Sequence, residues 1–357
     1  MKKKIILSLM LLVSTIVLLS CGVKDRVSSS TNYAKNEYRP HKDTFHAFDT
    51  ECTISLYGEF DDAEAKTYFD DIKETLYRYD KVFSKTDPDS EVYKINHRTG
   101  NIIETYKEVA DLFIVAKEMY EWSSGYFDVS AGALYDLWDV KNRTTLPAVS
   151  ELSKVMPLSG NFEYDVDNDA FLDTDKVAEI EFLTDTVSTY DFGALVKGYA
   201  CDEIKSNIYN HKKIEAAIVN LGGNVYCYGE LRDREDGAFN VGIYKPFSDG
   251  ELIDKVKVKN KFVITSGNYQ RYFKVKGDDR IYHHIINPKT GYPTDNGLDS
   301  VTIVSNNGLL GDYLSTTCMI LGEEYSKKLI DGCKNAFKNE GDLEAIFVYS
   351  DMRISRY

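Results

Sequence analysis

The chain has 357 residues, with 57 acidic against 43 basic side chains and a formal net charge of −14. Such an excess of negative charge argues against nucleic acid and anionic lipid as partners, because both would repel it. With 43% apolar residues, the sequence can bury a large core, either as one big domain or as two lobes.

In chain order, the first feature is a leader. Lys2, Lys3 and Lys4 form a basic start, residues 5–19 an apolar run, and "LLSC" follows. This is the pattern of a secretory signal over residues 1–20. Ser20 before Cys21, behind Leu18 and Leu19, resembles the lipobox of bacterial lipoproteins. The resemblance implies cleavage before Cys21 and lipid on that residue. It also implies anchoring on the outer, extracytoplasmic face of a bacterial membrane. A plain signal peptide with a chance cysteine is the alternative. Acyl chains give durable anchoring, since each buried CH2 contributes about 0.8 kcal/mol. No second apolar stretch is long enough to span a bilayer. Residues 21–43 are polar and aperiodic and read as a tether. Residues 44–357 remain for the fold.

"CTISLYG" (52–58) alternates like a strand. Residues 63–83 carry Phe69, Ile72, Leu76 and Tyr79 at helical spacing, and residues 104–122 repeat the pattern with Val109, Leu112, Phe113, Ala116 and Tyr120. Residues 141–174 are polar and poorly periodic and read as a peripheral insertion. "AAIVNLGGNVYCYGE" reads as strand, glycine turn, strand. "FNVGIYKPF", "KFVITSG" and "DSVTIVS" are further strands. Residues 309–321 and 323–337 look helical, and "EAIFVYSD" closes the chain as a strand. Strands in groups with helices between them predict an α+β fold with largely antiparallel sheets and packed helices. Beyond Cys21, five cysteines remain, and no pair has C-x-x-C spacing. A soft-metal site is therefore not indicated; buried thiols fit better, and one disulfide is left open without an assignment.

"DFGALVKGYA" (191–200) brings a carboxylate, two glycines and a lysine together. It is not a P-loop, because Tyr199 follows the second glycine where lysine is required, and it lacks G-x-G-x-x-G. It reads as a strand (187–190), a turn at Asp191 and a helix over residues 195–209. Glycines admit a ligand to the backbone, and a helix N-terminus favours anions. Close packing of a capped helix explains the same glycines. "GDYLSTT" places Asp312 and Thr316 four apart, on one face of a helix. A carboxylate and a hydroxyl there suit a hard cation. "HHIINPKTGYP" sets two of the six histidines before a Pro and Gly turn.

In order along the chain, "SEVYKIN", "GYFDVSAGAL", "DFGALVKGYACD", "VNLGGN", "TSGNYQRYF", "HHIINPKTGYP" and "GDYLSTTCMILG" resemble the bacterial FAD:protein FMN transferases, the ApbE-type family. The resemblance covers about residues 44–350. It implies a T-fold-like α+β architecture with two lobes around a flavin site. It implies transfer of the FMN half of FAD to a Thr or Ser hydroxyl of a target protein, with release of AMP. FAD is then the substrate and Mg2+ the cofactor. The acceptors are flavoproteins with a D-x-x-[ST]-G-A-[ST]-like motif, which this chain lacks.

Carried onto this sequence, the resemblance implies metal binding by the Ala194 carbonyl, Asp312 and Thr316. It implies flavin and pyrophosphate contacts from Tyr126, Phe127, Asp128, Asp191, Lys197 and Ile286, with Phe48 and Thr86 at early contact positions. His284, before the proline turn, is the implied general base. On a strand only one of His283 and His284 can face a site. Two departures stand out. Asn287 replaces the usual aspartate of H-x-I-D-P, which removes a negative charge while its amide can still form the turn. Phe48 replaces a methionine. A flavin-binding lipoprotein without catalysis, and hydrolysis of FAD to FMN and AMP, are the alternative functions. Joint presence of Asp312 and His284 favours the transferase.

Overall fold

A computed structural model describes residues 38–168, 177–336 and 343–357. The leader, Cys21 and most of the tether lie outside the described residues. The elements run β1 (His41–Ala47), β2 (Thr50–Gly58), α1 (Asp62–Val82), α2 (Glu91–Asn96), β3 (Ile102–Thr105), α3 (Lys107–Trp122), α4 (Gly132–Trp138) and α5 (Val149–Val155). Next come β4 (Tyr164–Asp167), β5 (Ala178–Phe182), α6 (Val196–Asn210), β6 (Ile214–Leu221), β7 (Asn224–Gly229), β8 (Phe239–Tyr244), β9 (Leu252–Val258) and β10 (Lys261–Gly267). The chain then forms β11 (Tyr272–Lys274), β12 (Ile281–His283), β13 (Ile286–Asn287), β14 (Tyr292–Pro293), β15 (Leu298–Ser305), α7 (Gly308–Leu321), α8 (Glu323–Ala336), β16 (Glu344–Tyr349) and β17 (Ile354–Arg356).

The central sheet has eight strands in the order β1–β2–β6–β7–β10–β15–β16–β17, and every pairing is antiparallel. Cys52, Ile54 and Leu56 of β2 alternate inward, as a period of two requires. They join Ile72 and Leu76 of α1, Ile204 and Ile208 of α6, and Leu310 and Leu314 of α7 in one core. On the sheet's other face, the β8–β9 hairpin contributes Phe239, Ile243, Val256 and Val258 against Ala216, Val263, Val304 and Ile346. With both faces covered, β15 is buried at every residue.

Local chemistry sets the element ends. Asp61 caps α1, accepting from the Ala63 and Glu64 amides at 3.0 and 2.9 Å, while Glu64 reaches back to the Asp61 amide. The β6–β7 turn has only Gly222 and Gly223 between Leu221 and Asn224, with φ of 61° and 104°. Both values lie where L side chains are strained, so the glycine pair is what closes this hairpin.

Four expectations change in the folded chain, and the expected buried thiols hold. Residues 187–190 form no strand; Thr189 makes one isolated bridge to Ala131. The fold begins at His41, earlier than residue 44, because the largely polar β1 forms the sheet edge and shows no apolar signal. The helix expected from residue 104 starts at Lys107, since Ile102–Thr105 pairs with β5 instead. The segment 141–174 is not peripheral over its described part. Phe162 and Tyr164 are buried, and β4 completes the sheet β3–β5–β4. Its apolar residues are too widely spaced to show a period. Finally, Cys52, Cys201, Cys227, Cys318 and Cys333 are all free and buried, which leaves no disulfide among them.

Candidate active site

The turns and helix starts around the sheet converge on one cleft of about 1130 Å³. That is roomy even for a drug-sized ligand, whose sites run to about 1,000 Å³. Every cofactor, metal and base residue expected from the sequence lines it: Phe48, Thr86, Tyr126, Phe127, Asp128, Asp191, Ala194, Lys197, His284, Ile286, Asp312 and Thr316. Residues separated by more than two hundred positions are thus brought together.

The "DFGALVKG" segment is held from several sides. Asn96, at the end of α2, mimics a strand partner: its amide donates to the Tyr190 carbonyl at 2.9 Å and accepts from the Tyr190 amide at 2.7 Å. The Asp191 amide donates to the Val129 carbonyl at 2.8 Å, joining this segment to the "GYFDVSAG" loop. Asp191 accepts from the Gly193 amide at 2.8 Å and pairs with Lys85 at 2.6 Å. Burial alone would raise the Asp191 carboxyl. Lys85 and the Gly193 N–H outweigh it, hold the pKa below the usual range and keep the group charged. Lys85 also pairs with Asp136 at 2.6 Å. Lys85 belongs to no motif and lies 106 positions from Asp191, so nothing in the sequence pointed to it.

Gly198 serves packing. A Cβ there would lie 2.2 Å from the Gly308 carbonyl oxygen, so α6 and α7 cross backbone to backbone. At this crossing the Gly198 N–H donates to Asp312 at 3.0 Å. Gly198 is the third residue of α6, where an N–H has no acceptor inside the helix, so Asp312 caps the start of α6 from α7. The Ala194 carbonyl precedes the N-cap Leu195, and the first bond of the helix runs from the Tyr199 amide to the Leu195 carbonyl. Thr316, one turn along α7, lies 3.2 Å from the Ser266 hydroxyl on β10. A carboxylate, a hydroxyl and a carbonyl outside the helical ladder make an all-oxygen donor set, which fits Mg2+. Nearby Asn224 is 2% exposed, and its side-chain nitrogen has no hydrogen-bond partner among the described residues. A buried donor without an acceptor suits an anionic ligand.

The aromatic loop is rigid. Asp128 accepts from the Ser130 amide and hydroxyl at 2.9 and 2.6 Å and from the Gly160 amide at 2.8 Å. Its carboxylate thus pins the loop that presents Tyr126 and Phe127. Phe127 packs edge-on against Tyr313 of α7, with ring centres 5.0 Å apart. Opposite, Phe48 and Asp49 form the β1–β2 turn, both in the left-handed region at φ of 52° and 59°. A bulky residue there is uncommon and marks a constrained position. Asp49 is tied down by ion pairs with Lys141 and Arg271. Neither cation was assigned a role from the sequence, although Arg271 lies within "TSGNYQRYF".

The two histidines diverge. His283 is buried; its Nε2 lies 2.8 Å from the Thr294 carbonyl, and its Nδ1 accepts from the Ile285 amide at 3.2 Å. Both nitrogens are spent. His284 is half-buried and lines the cleft, and its Nδ1 lies 3.2 Å from the Arg271 carbonyl. A carbonyl only accepts, so Nδ1 carries the proton and Nε2 keeps its lone pair. Burial lowers the His284 pKa to about 3; the hydrogen bond to the Arg271 carbonyl opposes it, and the charges of His283, Arg271 and Lys197 add to it. Beyond it, the Asn287 side-chain oxygen accepts from the Lys289 amide at 2.9 Å. Asparagine therefore forms the turn that the usual aspartate would.

The sequence profile described as the ApbE family matches residues 48–345. A Klebsiella pneumoniae protein named FAD:protein FMN transferase is 32% identical over 298 residues, covering 83% of this chain and 84% of its own. A Treponema pallidum protein of the same name is 27% identical over 346 residues, 94% of this chain and 88% of its own. Among solved structures, the ApbE protein of Thermotoga maritima superposes with a TM-score of 0.73 at 25% identity, covering 89% of this chain and 97% of that one. The flavinyl transferase ApbE of Pseudomonas stutzeri gives 0.70 at 22% identity, with coverages of 89% and 94%, and speaks for the fold.

Burial holds the folded-state pKa of both His283 and His284 below the ordinary imidazole value of 6.5. The unfolded chain then binds more protons as pH falls through about 6.5, so stability declines from there toward the folded pKa values. In denaturant melts at neutral and mildly acidic pH, His284→Gln should lose less stability on acidification than the wild type. An equal or larger loss would show that His284 is not held neutral by the fold.

Proposed function

The chain belongs to the ApbE family, and from that membership and the cleft we infer that it is an FAD:protein FMN transferase acting on a Ser or Thr hydroxyl. The observation that carries the chemistry is the tautomer of His284. Arg271 fixes the proton on Nδ1, which leaves Nε2 open in the same cleft as Asp312 and Thr316. Burial keeps the ring neutral across the neutral range, which leaves Nε2 open to a proton, while the same depressed pKa makes it a weaker base.

The reaction balances without another nucleotide. The acceptor oxygen forms a bond to the FMN-side phosphorus of FAD. The bond from that phosphorus to the bridging oxygen breaks, and AMP leaves with the electron pair. The acceptor proton goes to His284 Nε2. Tyr126 and Phe127 offer faces and edges for the flavin ring. Lys197 and the unpartnered Asn224 amide offer donors to the pyrophosphate. Asp312, Thr316 and the Ala194 carbonyl would hold Mg2+, which when bound offsets phosphate charge and favours the leaving group. The pairing of Lys85 with Asp191 fixes the turn that carries Ala194 and Lys197. Hydrolysis of FAD is the same displacement with water as acceptor.

The basic and apolar leader and "LLSC" support a reading in which this chemistry lies outside the cytoplasmic membrane on a lipid anchor at Cys21. Mass spectrometry of the mature N-terminus should find Cys21 first and acylated. Cleavage elsewhere, or a bare cysteine, removes the anchor.

His284→Ala should lower FMN transfer by roughly 10²- to 10⁴-fold, the usual worth of general-base help, while FAD still binds. His283→Ala should act mainly through stability, since its hydrogen bonds are structural. Flavin fluorescence of the acceptor band on a denaturing gel, beside FAD titrations, separates the two. If His284→Ala transfers normally, another group takes the proton.

Asp312→Ala should abolish both transfer and the stabilisation of the protein by Mg2+ in thermal melts, whereas Thr316→Ala should weaken both. A variant lacking Asp312 that is still stabilised by Mg2+ to the wild-type extent would refute the metal assignment.

A further inference from the structure

The β8–β9 hairpin and the start of β11 carry a run of apolar side chains outside the cleft. Tyr244 is 56% exposed, Phe247 49%, Leu252 59% and Tyr272 40%. They are neighbours. Tyr244 and Leu252 are cross-strand partners, which puts them side by side on one face. Phe247 meets Tyr272 edge-on at 5.5 Å and Tyr269 at 6.0 Å. Phe247 also sits at φ 57°, an uncommon conformation for a bulky residue. The chain thus holds a large ring outward where a glycine would relax. Scattered exposed apolar residues are ordinary, but contiguous aromatic ones mark interaction surfaces.

The patch is continuous with the catalytic machinery. Tyr269 lines the cleft. Tyr272 pairs with His283 across β11 and β12. Between them, Arg271 supplies the carbonyl that fixes His284. A surface reaching His284 along this strand is where a macromolecule delivering a hydroxyl to Nε2 must rest. Within the hairpin turn Lys245 pairs with Glu251 at 2.7 Å, and Asp249 adds one negative charge. A mainly aromatic surface selects an apolar partner surface.

Resting on the transferase reading, we propose that Tyr244, Phe247, Leu252 and Tyr272 form the docking surface for the acceptor protein, gripping uncharged apolar side chains beside its acceptor hydroxyl. The cleft then handles FAD, and the hairpin selects the folded partner.

The test compares two acceptors: a folded flavoprotein domain with a D-x-x-[ST]-G-A-[ST]-like motif, and a synthetic peptide of that motif alone. Phe247→Asp suits the left-handed backbone, and Tyr244→Ser is a second variant. Each should raise KM for the folded domain by about tenfold or more, as loss of an interface anchor does. Transfer to the peptide, FAD affinity and kcat should not change. An unchanged KM for the folded domain in both variants overturns the proposal. So does an equal loss with the peptide, which would place the effect in the cleft. A wild-type dimer that Phe247→Asp dissociates would assign the patch to a second copy of the chain instead. Absence of transfer by the wild type to either acceptor would sink the transferase reading itself, and the docking role with it.

Discussion

The site depends on the contact between Gly198 and Gly308. Two helix backbones meet there with no room for a Cβ on either side. This closeness brings Asp312 within 3.0 Å of the Gly198 amide. The hydrogen bond satisfies an N–H of the first turn of α6 that has no acceptor within the helix. One steric condition thus does two things. It docks α6 on α7 and orients the carboxylate beside the turn that carries Ala194. A side chain at either glycine would separate the donors rather than only loosen the core.

Around this crossing, the fold assigns rigidity and charge to different elements. The sheet supplies floor residues such as Asn224 and Ser266 from buried strands, which do not move independently of the core. The loops supply Tyr126, Phe127, Asp191 and His284, and each loop is fastened. Asn96 holds the segment before Asp191, Asp128 holds the aromatic loop, and the Arg271 carbonyl holds His284. Charges around the cleft occur in compensated groups: the half-buried Lys85 lies between Asp136 and Asp191, and the exposed Asp49 between Lys141 and Arg271. The first of these keeps Asp191 charged in spite of its partial burial.

The division of labour also clarifies the histidine pair. Adjacent in sequence, the two rings differ because of the carbonyls they meet. His283 spends both nitrogens on the chain around residues 285–294, and the structure needs it neutral. His284 spends only Nδ1. The chemical difference is therefore set by hydrogen-bond partners thirteen and eleven residues away, and nothing in the dipeptide itself distinguishes them.

Alternation in Cys52–Leu56 and the helical spacing of Phe69, Ile72, Leu76 and Tyr79 were legible in the sequence, because burial of one face imposes a short period that needs no distant partner. The same holds for the Gly222–Gly223 turn, which only glycine closes without strain, and for Asp312 and Thr316, four apart on one helix. Motifs in a fixed order were enough to pick out residues that line one cleft. The polar edge strand β1, the start of α3 and the buried β4 were not legible, since their places depend on partners elsewhere in the chain. Lys85, Arg271 and Lys141 escaped notice for the same reason: a lysine or arginine acquires a role only when folding sets a distant carboxylate beside it. Whether Gly198 served a ligand or a helix was open in the sequence. Tertiary structure decided it, because the 2.2 Å approach to Gly308 exists only once α6 and α7 have crossed.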